Sequence, residues 1–288
     1  MAENTAKASD IAYRKKRVKR IKRIIIGTCV FLLVFPTIMS IYLMIQVHSL
    51  KNEISKISAE RFETQEKNIA TPEPTPESTP EPEKKRVYLT FDDSPGTNTD
   101  EILDILKKSD TKATFFTVGK EDAEAKKIYK RIVKEGHTLG MHSYSHLYDE
   151  LYKSKETFEK DFLKIYDLLQ KETGLEPKWY RFPGGSSTQN AKLPIQTYID
   201  VLSDKKVQYI DWNVISPDIN EPSATKDDVV DGIVKNVLKF DTSVVLMYDS
   251  VDREMTVKAL PLLIKKLKQE NYELLPIDED TPLVQHNH

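Results

Sequence analysis

The stretch VYLTFDDSPGTNTDEIL, Val87 to Leu103, decides how this chain folds. Its first five residues, Val87 to Phe91, are β-branched, aromatic or apolar and suit a buried strand. That run stops at two adjacent carboxylates, Asp92 and Asp93, followed by a Ser-Pro-Gly turn and a helical pattern, Asp100–Lys108. Like charges side by side at a strand end repel and raise each other's pKa, so their presence there calls for a chemical reason.

Outward from this unit the pattern repeats. Further strands are expected at Ala113–Val118, Thr138–Met141, Trp179–Phe182, Val207–Asn213, Val244–Tyr248 and Tyr272–Leu275. Helical stretches fall between them at Ala123–Glu135, Lys155–Thr173, Lys192–Ser203, Lys226–Phe240 and Glu254–Gln269. Seven strands alternating with six helices argue for an α/β fold with a parallel sheet, either a distorted (β/α)7-type barrel or a doubly wound open sheet. No Gly-x-Gly-x-x-Gly follows the first strand, which weakens a dinucleotide-binding version. The unusual polar clusters all fall at strand C-terminal ends: Asp92 and Asp93, HSYSH (His142 to His146), RFPGG (Arg181 to Gly185), DWN (Asp211 to Asn213) and YDS (Tyr248 to Ser250). A parallel barrel assembles its active site on that face, so the clusters are expected to converge.

His142 and His146, joined by Asp93 from another strand, supply two imidazoles and a carboxylate, a donor set that holds a divalent metal and leaves positions open. Three of the six histidines, His137, His142 and His146, lie within ten residues. A cation at Asp93 would leave Asp92 free to stay ionised beside it and act as a base. The residues thus point to metal-assisted hydrolysis.

The first half of the chain reads differently. The block RKKRVKRIKR, Arg14 to Arg23, precedes an uncharged apolar run from Ile24 to Val47, long enough to cross a bilayer. Positive charge stays inside, which places the N-terminus in the cytoplasm and everything after Val47 outside. No small-x-small cleavage site precedes His48, so an uncleaved anchor is expected. Cys29, the only cysteine, lies in this span, so the exported part contains no disulfide. Val47, Leu50, Ile54 and Ile57 recur at helical steps, a short stalk that would support at most a weak homodimer. TPEPTPESTPEPE, Thr71 to Glu83, is an extended spacer. The organisation expected is a basic cytoplasmic segment 1–23, a transmembrane helix 24–47, an extracytoplasmic stalk 48–70, a linker 71–84 and a catalytic domain 85–288. A net charge of -2 gives no reason to expect a nucleic acid partner.

The motifs also resemble those of the polysaccharide deacetylases, the NodB-homology family of carbohydrate esterases. TFDDSP is similar to its T-F-D-D-G-P, HSYSH to H-[ST]-x-x-H and RFPGG to R-x-P-x-G; DWNVISPD and VVLMYDS are similar to the fourth and fifth motifs, in the expected order over about Arg86 to Pro282. The resemblance implies a distorted (β/α) barrel removing acetyl groups from N-acetylated, sometimes O-acetylated, polysaccharides with zinc, or else cobalt, manganese or nickel. It makes Asp92 the base, Asp93, His142 and His146 the ligands, and Arg181 a bidentate partner that holds Asp92. Pro183 and Gly184 fall in the substrate-contacting loop, the Gly184 N–H facing the oxyanion, and Trp212 walls the acetyl pocket or is an ordinary core aromatic. An anchored, outward-facing member with a spacer implies peptidoglycan, and N-acetylglucosamine within it, as substrate.

Four positions depart from the family. Ser94 stands for glycine and Gly184 for a frequent tyrosine. Tyr248 occupies the place of the histidine that protonates the leaving group, and Ile215 that of the aspartate supporting it, although Asp218 remains. This paired loss leaves alternatives: a weakly active or inactive metal-containing glycan-binding protein, or an O-acetyl esterase. A structural tether would rest on the linker alone and needs no metal.

Overall fold

The computed structural model describes Gln46 and residues 85–287. Apart from Gln46, the expected cytoplasmic segment, membrane span, stalk and linker lie outside the described residues, among which no helix is long and apolar enough to cross a membrane.

The elements are β1 Arg86–Ser94, α1 Thr99–Lys108, β2 Thr114–Val118, α2 Ala123–Lys134, β3 Thr138–Ser143, α3 Tyr148–Leu151, α4 Lys155–Thr173 and β4 Trp179–Tyr180. They continue with α5 Ile195–Ser203, β5 Gln208–Tyr209, β6 Val214–Ile215, α6 Pro217–Asn220, α7 Lys226–Val237, β7 Thr242–Tyr248, α8 Glu254–Gln269 and β8 Glu273–Leu274. All pairings are parallel, in the order β5-β4-β3-β2-β1-β7-β6, with β8 set against the start of β1. A doubly wound sheet would move outward again after returning to β1; here β7 is next to β1 and β6 lies outside it. This cyclic order belongs to a curled barrel sheet opened between β5 and β6.

The segment read as one strand, Val207–Asn213, is a correction. Only Gln208–Tyr209 pairs with β4, and the chain then leaves the sheet until Val214–Ile215 joins β7. Two side chains account for the break. The Asp211 carboxylate is claimed by Ser186, and Asn213 bridges to β7 through the Val244 N–H and the Thr242 carbonyl. The expected fourth strand shortens to two residues because Arg181 leaves the ladder for a glycine turn, and α5 starts late, after Pro194.

Strand alternation assigns the layers. Val87, Leu89 and Phe91 are fully buried in one cluster with Leu103 and Leu106 of α1, Val230 and Ile233 of α7 and Leu260 and Leu263 of α8. The other parity of β1 faces the barrel interior, where Tyr88 packs with Phe116, Trp179, Ile210, Val244 and Ile277. A second helix layer, with Tyr129 of α2 and Phe158, Phe162 and Leu169 of α4, covers β3 and β4. Burying each such large apolar side chain stabilises the fold by about 1.5–3 kcal/mol. Interior parity then puts Thr90 and Asp92 directly above Tyr88, at the mouth.

Candidate active site

Regular alternation would send Asp93 outward, away from Asp92. The backbone prevents this: β1 pairs with β2 through Asp92 and then Ser94, so Asp93 is an extra residue with φ +67°. A second irregularity lies on β3, where Thr117 pairs with Met141 and Val118 with Ser143, leaving His142 as the extra residue. Both side chains are re-aimed by a local bulge at the strand end. Ser143 at φ +131° and His146 at φ +53° continue the unusual backbone, and such conformations in residues with a Cβ cost about 1–3 kcal/mol each. Asp161 of α4 offsets part of that cost: its carboxylate accepts the Ser143 hydroxyl at 2.8 Å and the N–H groups of Tyr144 at 2.7 Å and Ser145 at 2.9 Å.

One ligand atom each from Asp93, His142 and His146 fits within 4.8 Å of the others. His146 Nε2 lies 3.3 Å and His142 Nε2 3.7 Å from Asp93 Oδ1. His142 Nδ1–H donates to the Arg181 carbonyl at 2.8 Å, which fixes the tautomer and turns the Nε2 lone pair toward Asp93. Burial, opposed in part by Asp93, pushes the His142 pKa down to about 3, so the imidazole is neutral, as a ligand must be. Among the described residues, Asp93 Oδ1 and His146 Nε2 are buried without a hydrogen-bond partner. Two orphaned acceptors facing each other fit a cation between them.

Asp92, 1 % exposed, sits next to this trio, its Oδ2 3.8 Å from His142 Nε2. Burial raises its pKa to about 6 against the opposing pull of Arg181, so it is ionised at neutral pH but poised to accept a proton. Arg181 is fully buried and spends its fork widely: Nη1 on Asp92 Oδ1 at 2.8 Å and Thr90 Oγ1 at 2.7 Å, Nε on the Ile210 carbonyl and Nη2 on the Asp211 carbonyl. The expected bidentate grip is therefore corrected to a single bond to Asp92. The other guanidinium donors are drawn off by strand-end carbonyls, and the Phe116 ring lies 4.0 Å from the guanidinium carbon.

Pro183, Gly184 and Gly185 form the next wall. Both glycines have positive φ, +79° and +76°, and a Cβ on Gly184 would come 2.9 Å from Thr188 Oγ1, so the frequent tyrosine of the family would be strained here and would need the Thr188 side chain to shift. Trp212 closes the same side; a Cβ on Gly185 would meet its ring at 2.9 Å. Ser94 adopts no positive φ, and its hydroxyl donates to Asp249 Oδ2 at 2.6 Å, which explains why a serine is tolerated there. Tyr248 pairs with Asp92 across β1 and β7 and is half-buried; burial, then the charges of Asp92 and Asp93, push its phenol well above the usual range. Ile215 pairs with Leu246, diagonal to Tyr248, and is 37 % exposed. Asp218 accepts the hydroxyls of Ser216 at 2.5 Å and Thr256 at 2.7 Å, a structural post rather than a partner for Tyr248.

His137, third of the clustered histidines, is not part of the site. It precedes β3 at the opposite end, where its Nδ1 accepts the Ala113 N–H at 3.2 Å, beside a cavity of about 280 Å³ that holds none of the site residues. Sequence reading missed Tyr148, whose ring stands 5.4 Å from that of His146 and touches the Gly184 position. It also missed Asp249, which accepts from Ser94, Thr99 and the Gly96 N–H and so pins the turn after Asp93. Asp249 was visible in YDS, directly after Tyr248; no signal marked Tyr148 beyond its closeness to His146.

Comparison with known proteins accords with this geometry. The polysaccharide deacetylase family matches residues 79–200. A peptidoglycan-N-acetylglucosamine deacetylase of Bacillus cereus is 34% identical over 206 residues, 69% of this chain and 71% of its own. The catalytic domain of a peptidoglycan N-acetylglucosamine deacetylase from Eubacterium rectale superposes with a TM-score of 0.67 at 33% identity, covering 72% of this chain and 94% of that one. A pseudoenzyme of carbohydrate esterase family 4 from Bacillus anthracis superposes with a TM-score of 0.58 at 27% identity, covering 72% and 71%.

Proposed function

This chain belongs to the polysaccharide deacetylase family, hydrolases of carbon–nitrogen bonds other than peptide bonds, and from that premise we propose that it removes N-acetyl groups from N-acetylglucosamine in peptidoglycan. The observation that carries the proposal is the buried Asp92, held by Arg181 and set against the trio Asp93, His142 and His146. The named activity of the relatives supports the choice of sugar and polymer.

Asp93, His142 and His146 would hold a divalent ion, and two imidazoles with one carboxylate suit zinc, with cobalt, manganese and nickel as substitutes. Such an ion, when bound, polarises the acetyl carbonyl and favours ionisation of water. Asp92 takes the proton of the attacking water through Oδ2, since Arg181 occupies Oδ1. The Gly184 N–H faces the developing oxyanion, and Pro183 and Trp212 enclose the acetyl group. Tyr248 keeps its proton and donates only a hydrogen bond to the departing nitrogen, so the proton that the amine carries away as the C–N bond breaks is the one Asp92 took from the water.

A second reading has a specific observation behind it: Tyr248 and Ile215 replace the acid and its support, which favours ester over amide hydrolysis or a slow enzyme. Ester leaving groups need less protonation than amines. Parallel acetate release from N-acetylated and O-acetylated glycans of equal length tests this. Faster amide than ester hydrolysis supports the deacetylase reading, and the reverse supports the esterase. The basic block before the apolar run further supports a single-pass membrane protein with its catalytic domain outside the cell, and the stalk pattern supports weak pairing of two copies.

A further inference from the structure

The segment Val284–Asn287 runs beside β5 to the face that carries the site, and its contacts converge on one buried carboxylate. Asp211 accepts the Ser186 N–H at 2.8 Å on Oδ1, and the Ser186 hydroxyl at 2.6 Å and the His286 N–H at 2.8 Å on Oδ2. Its own N–H donates to the Val284 carbonyl at 2.7 Å, and its carbonyl accepts Arg181 Nη2 at 2.9 Å. Asp211 therefore joins the arginine that holds Asp92, the loop that carries Gly184, and the segment 284–287.

That segment also grips the loop directly. The Asn287 N–H donates to Ser186 Oγ at 3.1 Å, and its side-chain amide to the Ser186 carbonyl at 2.7 Å. His286 Nε2–H donates to the Trp212 carbonyl at 2.7 Å while Nδ1 accepts the Ser187 hydroxyl at 3.2 Å, and the two bonds together fix the tautomer. The ring stands edge-on to Trp212, with centroids 5.0 Å apart.

The loop needs such support. Two consecutive glycines at positive φ have the largest conformational entropy to lose, and on its far side the loop is tied by the Tyr152 hydroxyl to the Pro183 carbonyl at 2.8 Å. An oxyanion donor is effective only if it is already in place when charge develops. We propose that His286 and Asn287 are positioning residues of the active site: acting through Ser186, Asp211 and Trp212, they hold the loop 183–187 so that the Gly184 N–H faces the mouth. The proposal rests on the deacetylase reading for its catalytic consequence but not for its structural one.

The test uses the full chain with His286→Ala, His286→Gln and Asn287→Ala. A glutamine amide can still donate to the Trp212 carbonyl and accept from Ser187. In His286→Ala and Asn287→Ala, amide hydrogen exchange in 183–188 should quicken about tenfold while 87–93 is unchanged. The rate kcat should fall about tenfold with KM within about twofold and metal content unaltered, and His286→Gln should recover most of both losses. Unchanged exchange in His286→Ala overturns the proposal, as does a rise in KM at constant kcat, which would make His286 a substrate contact. If wild-type protein releases no acetate, the deacetylase reading fails, while the exchange result still decides whether these residues hold the loop.

Discussion

Replacing Arg181 by methionine keeps most of the side chain's apolar volume and removes its charge from a site with no solvent access. Four hydrogen bonds go with it, to Thr90, Asp92 and the carbonyls of Ile210 and Asp211. Asp92, 1 % exposed, is left as an uncompensated buried carboxylate, a change that costs about 3–5 kcal/mol out of a total stability of about 5–15 kcal/mol. Adding Asp92→Asn to that variant removes the stranded charge while the hydrogen bonds to Thr90, Ile210 and Asp211 stay lost in both. The double variant should therefore be more stable than Arg181→Met alone, by about 1–3 kcal/mol, although it carries one more substitution. Urea unfolding of metal-free protein measures this, provided the denaturant slope is the same across the set. If the double variant is no more stable than the single one, Arg181 does not compensate Asp92, and the reasoning that ties the arginine to an ionised base is wrong.

The combination Tyr248→His with Ile215→Asp restores an imidazole and an adjacent carboxylate across β6 and β7. It should raise amide hydrolysis by about 10²–10⁴-fold, with Tyr248→His alone gaining less; a folded, metal-loaded double variant no faster than wild type would place the acid elsewhere. His137 is held neutral in the fold, its pKa lowered to about 4 by burial first and the Lys112 charge next, against about 6.5 in the unfolded chain. Between those values the unfolded chain binds more protons, so this residue's contribution to stability rises with pH, and up to about 3 kcal/mol is lost as pH falls from 6.5 to 4. His137→Gln, whose carbonyl can still accept the Ala113 N–H, should flatten that slope in urea midpoints taken at pH 4.5 and 7; equal slopes for the two proteins would remove His137 as its source. Protease added to intact cells should release a soluble catalytic fragment cut within the Thr71–Glu83 linker, and release only after lysis would reverse the proposed orientation.

The parts of the site legible in the sequence are those whose chemistry is written locally. Asp92 and Asp93 end an obvious strand, His142 and His146 follow another, and strand-end placement alone brought them to one face. Strict alternation, however, would point Asp92 and Asp93 in opposite directions. Only the bulges at Asp93 and His142 reconcile the two, and a bulge leaves no mark in hydrophobic periodicity. The run Val207–Asn213 reads as one strand because Val207, Tyr209, Ile210 and Trp212 are β-branched or aromatic, while the Asp211 carboxylate that interrupts it answers to Ser186 and His286, 25 and 75 residues away. Residues 284–287 have no periodicity, and their place is set by main-chain and polar contacts that composition does not encode.

The most direct test of the account is acetate release from N-acetylglucosamine oligomers by metal-loaded wild-type protein and by Asp92→Asn, with metal content measured on both. Asp92→Asn should keep its metal, since Asp93, His142 and His146 are untouched, and lose about 10²–10⁴-fold in rate because an amide cannot accept the proton. Chelation should stop the wild-type reaction and zinc should restore it. An Asp92→Asn variant of undiminished rate, or wild-type release indifferent to chelator, would contradict the account.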